Sequence, residues 1–142
     1  VPVCIMHMLG EPKTMQANPS YRDVVKEISS ELLTTAQQLV DAGHEPNRIC
    51  LDPGIGFGKT LDHNIDLLKG WNSLRGDHDF PILWGVSRKS MIGQLTGQST
   101  SEDRLFGTLG VAAYAYDAGI DWLRVHDVQA HSDLLRVLRA LD

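Results

Sequence analysis

The chain has 142 residues, the length of a single domain by the usual prior of about 100 to 200 residues per domain. Its hydrophobic share of 42%, charged share of 22% and 13 glycines are typical of a globular protein and argue against collagen, coiled-coil and disordered classes. Thirteen Lys and Arg against 18 Asp and Glu give a net charge of −5, which argues against general binding of nucleic acid or an anionic membrane.

The two cysteines and the ends of the chain indicate its compartment and its origin. Cys4 and Cys50 each lie in a short apolar run, so we expect buried free thiols rather than a disulfide, and hence a cytoplasmic protein. Apolar runs are far shorter than the roughly 18 residues of a membrane span, and a basic leader is not evident. Because residues 1–6 already have the pattern of a strand, we expect the chain to be part of a longer protein.

Apolar patterning predicts four strands that alternate with helices. The strands are expected over residues 3–8, 48–52, 81–86 and 121–126. The helices are expected over residues 21–42, 62–74, 87–95, 105–118 and 130–141. The first strand is expected to be buried on both faces. The first helix has a predicted N-cap at Ser20, and Ser99 with Glu102 forms a predicted capping box before the fourth helix.

This alternation predicts an α/β protein with a parallel sheet. Four βα units fit either a small open doubly wound sheet or half of a (β/α)8 barrel, which needs about 250 residues when whole. The pattern of apolar residues does not distinguish these two architectures. Each of them places its ligand site at the carboxyl ends of the strands. The conspicuous polar residues follow predicted strand ends: His7, Asp52, Ser87, Arg88, Lys89, Arg124, His126 and Asp127.

Residues 52–59 place the Asp52 carboxylate before three glycines spaced by two. Glycine permits positive φ and close approach of the backbone to a ligand. The phosphate-binding pattern G-x-x-x-x-G-K-[ST] needs glycine where Pro53 stands, so we reject that interpretation for Lys59. A tight turn with Asp52 as a cap is the plain alternative.

Two further segments indicate an anion site. Ser87, Arg88 and Lys89 place a hydroxyl and two cations at a predicted helix start, where cations oppose the helix dipole but collect an anion. Alternatively, Ser87 is only an N-cap and Lys89 forms an ion pair with Asp52.

In the last strand, Arg124 and His126 share a face because side chains alternate. A guanidinium beside an imidazole suits a phosphate or diphosphate. On the first strand, Met6 and Met8 share a face that can form an apolar wall for a flat ligand, whereas His7 also fits a plain core position. Residues 10–19 are expected to form a mobile loop over the mouth. The histidines and cysteines show no spacing typical of a metal site.

Together these residues predict a ligand that is a phosphorylated aromatic heterocycle. A carboxylate such as Asp52 suits the parallel N–H donors of an amino-pyrimidine edge, and Phe57 adds an apolar wall.

The motifs at residues 6–8, 52–59, 87–90 and 124–127 resemble those of the dihydropteroate synthase family. The resemblance implies a (β/α)8 TIM barrel in which residues 1–142 form the C-terminal half, strands five to eight, of the pterin-binding domain, with the N-terminal half absent. It also implies a transferase of folate biosynthesis, which condenses 7,8-dihydropterin-6-ylmethyl diphosphate with 4-aminobenzoate to 7,8-dihydropteroate and diphosphate.

The resemblance also implies roles for individual residues. Asp52 and Lys89 would hold the pterin ring, with Met6 in its wall. Arg124 and His126 would bind the leaving diphosphate. Lys89, Arg124 and His126 are therefore the expected catalytic residues, because the protein must stabilise charge that develops on the leaving group.

Phe57 and Ser87 would line the 4-aminobenzoate pocket, where sulfonamides compete, with Ser87 near the carboxylate at a helix N-terminus. The resemblance implies Mg²⁺ held by an Asn of the first half, so we expect no metal ligand in this chain. We expect the chain alone to be inactive and to form a homodimer or to associate with the missing half. A pterin-binding methyltransferase domain and a noncatalytic half-barrel are the alternatives.

Overall fold

The computed structural model describes residues 1–11 and 13–142. The strands are β1 (Val3–Met6), β2 (Ile49–Asp52), β3 (Leu83–Trp84) and β4 (Trp122–Leu123). The helices are α1 (Val24–Asp41), α2 (Leu61–Lys69), α3 (Ser90–Thr96), α4 (Leu105–Asp117) and α5 (Val128–Leu141). Short 3-10 turns lie at Pro46–Arg48, Trp71–Leu74 and Glu102–Arg104. The predicted alternation of strands and helices is confirmed.

The strands are parallel and stand side by side in chain order. β1 pairs with β2, and β3 pairs with β4. A parallel bridge between Leu51 and Ile82 joins the two pairs, and the Leu51 N–H donates to the Pro81 carbonyl at 2.8 Å. A doubly wound sheet reverses its strand order at a switch point. The order β1-β2-β3-β4 instead favours successive units of a barrel.

One face of the sheet packs on the helices and the other is open. Ile49, Leu51, Ile82 and Trp84 are fully buried against the helix layer. The opposite face, here called the open face, carries residues of the other parity: Cys4, Met6, Cys50, Asp52, Leu83, Gly85, Trp122, Arg124 and His126. Trp122 on this face is 60% exposed.

Two expectations about burial are therefore wrong. β1 is not buried on both faces, because exposed Cys4 and Met6 alternate with partly buried Val3 and Ile5. Cys4 is not a buried thiol either, although both it and Cys50 are free as expected. Because cysteine and methionine count as apolar residues, the apolar run of the first strand concealed the alternation of buried and exposed side chains.

Three helices begin differently from the predictions. The N-cap of α1 is Asp23 rather than Ser20, since its carboxylate accepts from the Lys26 N–H at 3.0 Å. The capping box at Ser99 does not form, and α4 begins without a side-chain cap. α3 begins at Ser90 with Lys89 as N-cap, so it is shorter than predicted.

The predicted helix over residues 62–74 is interrupted at Gly70, where α2 gives way to a 3-10 turn. Across the part of the chain that the structure describes, the helices are too short or too polar to cross a membrane.

Residues 54–58, here called the glycine segment, follow β2 and carry three glycines. The end of β1 approaches this segment so closely that only glycine fits at position 54. A Cβ on Gly54, where φ is +67°, would lie 1.8 Å from the His7 carbonyl oxygen. Gly119 has a similar φ of +73° with nothing within 4 Å of such a Cβ.

Gly119→Ala is expected to lower the free energy of unfolding by about 1–2 kcal/mol, the cost of a left-handed residue. Gly54→Ala adds a steric clash, for which overpacking predicts about 1–3 kcal/mol more. Urea denaturation of both variants measures the difference. Equal losses would contradict the close approach of Gly54 to His7.

Candidate functional site

The carboxyl ends of β3 and β4 border a cleft of about 260 Å³. Its lining residues are Gly85, Ser87, Lys89, Arg124, Val125 and His126. Four side chains singled out in the sequence, Ser87, Lys89, Arg124 and His126, are thus brought together although they come from different βα units. The cleft presents two cations and an imidazole, an arrangement suited to an anion.

Backbone hydrogen bonds set the position of the β4 side chains. The Arg124 N–H donates to the Trp84 carbonyl at 3.0 Å. A Cβ on Gly85 would lie 3.1 Å from a terminal nitrogen of Arg124, so the glycine gives the guanidinium its room.

Ser87 holds His126 through two contacts. The Ser87 Oγ accepts the His126 backbone N–H at 3.1 Å and lies 2.9 Å from His126 Nδ1. The Ser87 hydroxyl has one hydrogen and two lone pairs, so after accepting the backbone N–H it can either donate to Nδ1 or accept a second hydrogen from it. Ser87 precedes α3 by three residues, so the expectation that it sits at the helix N-terminus is wrong.

Lys89 reaches across to the glycine segment of the second βα unit. Its Nζ lies 4.1 Å from the centroid of the Phe57 ring and donates to the Ile55 carbonyl. Burial lowers the pKa of Lys89 to about 8, and the charge of Arg124 adds to this while that of Asp52 opposes it. Within residues 1–11 and 13–142, Lys89 makes no direct ion pair with Asp52.

Asp52 ends β2 as a carboxylate that is only 4% exposed. Its Oδ1 accepts the Gly54 N–H at 2.8 Å. Burial raises the pKa of Asp52, whereas the Gly54 N–H and the charges of Lys89, Arg124 and Lys59 lower it. The carboxylate therefore lies in a field of cations at the edge of the cleft.

Lys59 holds the glycines that follow β2, a role that the sequence did not indicate. It is 4% exposed, and its Nζ lies 3.0 Å from the Gly54 carbonyl oxygen, 2.9 Å from that of Phe57 and 3.0 Å from His7 Nδ1. Burial lowers the pKa of Lys59 to about 8 and that of His7 to about 4. His7 is thus a neutral acceptor, and Lys59 fastens the glycine segment to the end of β1. A lysine directly after spaced glycines was the available signal.

Arg88 does not line the cleft, contrary to expectation. Its guanidinium pairs with both carboxylate oxygens of Asp127, at 3.0 and 2.6 Å. Its backbone has a φ of +58° and is held by the Thr108 hydroxyl at 3.1 Å and the Arg104 guanidinium at 2.9 Å. This conformation separates Arg88 from its neighbours Ser87 and Lys89, which line the cleft.

The segment after β1 packs on the glycine segment. Gln16 donates to the Gly56 carbonyl, and the Tyr21 hydroxyl donates to that of Gly58 at 3.0 Å. The loop expected over residues 10–19 includes Pro12, which lies outside the described residues. Met6 faces the open side and is 41% exposed, so it is available as a wall for a ligand.

The described residues contain no large cluster of metal-ligating side chains. Outside Pro12, no group of three or more His, Cys, Asp or Glu side chains could hold a metal ion. Mg²⁺ remains a prediction from the resemblance.

Parallel βα units with a cationic cleft and a buried carboxylate at the strand carboxyl ends define an α/β domain whose polar groups converge where such folds place their ligand sites. Residues 1–126 match the family model described as pterin binding enzyme. The chain belongs to this family.

Several similar proteins are dihydropteroate synthases. That of Neisseria meningitidis serogroup C is 48% identical over 139 residues, which cover 98% of this chain and 49% of that protein. The Thermus thermophilus enzyme in complex with 4-aminobenzoate has a TM-score of 0.91 at 41% identity, covering 99% of this chain and 57% of that one. The Xanthomonas albilineans enzyme in complex with 7,8-dihydropteroate has a TM-score of 0.88 at 38% identity, covering 99% and 50%. The chain spans about half the length of the curated relatives it matches.

Anion binding in the cleft is expected to weaken as pH rises through about 8, where Lys89 loses its proton. A charge-assisted hydrogen bond contributes about 1.5–3 kcal/mol, so the affinity for sulfate, whose charge is constant over this range, should fall roughly tenfold or more. NMR titration with sulfate below and above this pH measures the effect.

Lys89→Arg is the matched control, because a guanidinium stays charged and the pH dependence should largely vanish. Lys59 titrates in the same range in both proteins, so the difference between them reports on Lys89. Identical pH profiles would show that Lys89 does not bind the anion.

Proposed function

We propose that the chain supplies strands five to eight, the C-terminal half, of the (β/α)8 barrel of a dihydropteroate synthase. The whole protein would condense 7,8-dihydropterin-6-ylmethyl diphosphate with 4-aminobenzoate to give 7,8-dihydropteroate and diphosphate. The observation that carries this proposal is the cleft in which Arg124, His126 and Lys89 meet beside the buried Asp52. Two further observations support the proposal. The strands stand side by side in chain order, and the chain matches about half the length of its relatives.

The pterin would bind at the edge between β1 and β2. Asp52 is buried and held by the Gly54 N–H, so it can accept the N–H donors of an amino-pyrimidine edge without large reorganisation. Met6 lies opposite Asp52 in the strand pairing and would contact the ring face. Lys89 would add a donor from the third βα unit.

The diphosphate would occupy the cleft of Arg124 and His126. When the bond between the pterin methylene carbon and the diphosphate oxygen breaks, negative charge accumulates on the leaving group. Arg124, Lys89 and an N–H of His126 would stabilise that charge more strongly than they stabilise the ground state, which is the requirement for acceleration. The amine of 4-aminobenzoate then attacks the methylene carbon, so no side chain of this cleft needs to act as a nucleophile.

The 4-aminobenzoate ring would pack against Phe57, whose position Lys59 and Lys89 set. Ser87 would act on this site through His126, because its hydroxyl is engaged by that residue. A cytoplasmic location and a homodimer, or association with the other half of the barrel, also belong to this proposal.

Arg124→Ala is expected to weaken binding of the pterin diphosphate far more than Lys59→Ala. Loss of a charged hydrogen-bonding partner costs about 1.5–3 kcal/mol, or roughly 10- to 100-fold in affinity, whereas Lys59 bonds to the protein's own carbonyls. Isothermal titration calorimetry on variants with native-like thermal unfolding measures both. Arg136→Ala is the control, since this side chain is 76% exposed on α5. Equal losses for Arg124→Ala and Lys59→Ala would contradict the assigned roles.

The purified chain alone is expected to show little synthase turnover at substrate concentrations that saturate a full-length relative. Half of a barrel offers only part of the ring of loops that forms such an active site. Chromatographic detection of 7,8-dihydropteroate measures turnover, and size-exclusion chromatography gives the mass of the species tested.

Robust turnover by a 142-residue monomer would contradict the half-barrel proposal. Preference for a methyltetrahydropterin over the pterin diphosphate would contradict the proposed reaction, because a methyltransferase has no need of a diphosphate clamp.

A further inference from the structure

Arg88 occupies a turn position that ordinarily favours glycine. The Lys89 N–H donates to the Val86 carbonyl at 3.2 Å, which closes a turn over residues 86–89 with Arg88 as its third residue. The φ of Arg88 is +58°, and turns that need a positive φ at this place favour glycine or asparagine. An arginine in this conformation is strained, so its surroundings must hold it there. Because Ser87 and Lys89 both line the cleft, the conformation of Arg88 sets the directions of two cleft side chains.

The start of α4 holds the backbone of Arg88 at two places. The Thr108 Oγ1 accepts the Arg88 N–H at 3.1 Å, and the Arg104 guanidinium donates to the Arg88 carbonyl at 2.9 Å. The Thr108 Oγ1 also donates to the Arg104 carbonyl at 2.8 Å. A backbone N–H can only donate and a carbonyl can only accept, so the direction of both Thr108 hydrogen bonds is fixed. One hydroxyl thus joins the turn to α4.

The Thr108 hydroxyl acts from inside the protein. Thr108 is 0% exposed, so its loss would leave the Arg88 N–H without a hydrogen-bond partner in a place closed to water. The side chain of Arg88 is held separately, by both carboxylate oxygens of Asp127. Removal of the hydroxyl therefore changes the backbone support of the turn and leaves the ion pair of Arg88 in place.

We propose that Thr108 is a positioning residue for the cleft. Its hydroxyl stabilises the left-handed Arg88 and thereby directs Ser87 and Lys89 toward a bound anion. The effect extends to the end of β4, because the Ser87 Oγ accepts the His126 N–H at 3.1 Å. The role in anion binding rests on the proposed function, whereas the connection from Thr108 to His126 is a property of the chain without a ligand.

Amide hydrogen exchange measured by NMR tests this connection in the whole chain. The Arg124 N–H donates to the Trp84 carbonyl, and the His126 N–H donates to the Ser87 Oγ. Thr108→Val should raise the exchange rate of His126 relative to that of Arg124 roughly tenfold or more. A loss of overall stability would raise both rates together and leave their ratio unchanged. Thr108→Ser retains the hydroxyl and should restore the parent ratio.

Thr96→Val is the matched control for the loss of a threonine hydroxyl in a helix. The Thr96 Oγ1 donates to the Ile92 carbonyl at 2.7 Å, a bond to the residue four positions earlier like the one that Thr108 makes. This bond lies within α3, so its loss should leave the exchange ratio unchanged. Circular dichroism shows whether each variant is folded, and Thr108→Ala takes the place of Thr108→Val if the valine variant does not fold.

Calorimetric titration with inorganic diphosphate measures the consequence for the cleft. Thr108→Val should weaken the affinity roughly tenfold or more, whereas Thr108→Ser and Thr96→Val should leave it nearly unchanged. An unchanged exchange ratio in Thr108→Val would overturn the proposal, as would an equal change in Thr108→Ser or Thr96→Val. Diphosphate binding by Thr108→Val as tight as that of the parent would also overturn it.

The two measurements separate this proposal from the proposed function. A parent chain that does not bind diphosphate would contradict the anion site, and with it the role of Thr108 in anion binding. The exchange ratio of His126 to Arg124 would still decide whether Thr108 positions Ser87.

Discussion

The buried ammonium of Lys59 joins the strand ends on which the candidate site depends. It donates to the carbonyls of Gly54 and Phe57 and lies 3.0 Å from His7 Nδ1. Burial of an ammonium is costly unless its donors are satisfied, so these three partners make one arrangement of the glycine segment strongly preferred. The position of Phe57, and through it the resting place of Lys89, follows from this contact.

The charges at the cleft are arranged so that some are free to act and others are not. Arg88 is paired with Asp127, and Lys59 is held by two carbonyls and His7. Arg124 and His126 line the cavity, and Lys89 lines it while bonded to the single carbonyl of Ile55. Asp52 moderates the local positive field without pairing directly with Lys89. In a chain of net charge −5, this separation creates a cationic cleft that the overall balance does not suggest.

Much of the fold was predictable because its signals are local. The alternation of strands and helices depends on apolar periods of about two and 3.6 residues, and the structure confirms it. The strand order was not predictable, since each unit looks alike whether the sheet is wound in one direction or two. The N-cap at Asp23 was missed because Ser20 and Asp23 are both good caps, and only the surrounding packing chooses between them.

The sequence by itself determined which chemical groups stand at the carboxyl ends of the strands, because each strand end is marked by its own short motif. Tertiary structure decided which of those groups line the cleft. Arg88 and Asp127 are 39 residues apart, and Lys59 and His7 are 52 apart, so no local pattern contains these pairs. The same holds for Cys4 and Cys50, which become neighbours only through the pairing of β1 with β2. Contacts of this kind arise from the order and register of the strands, which short-range preferences do not specify.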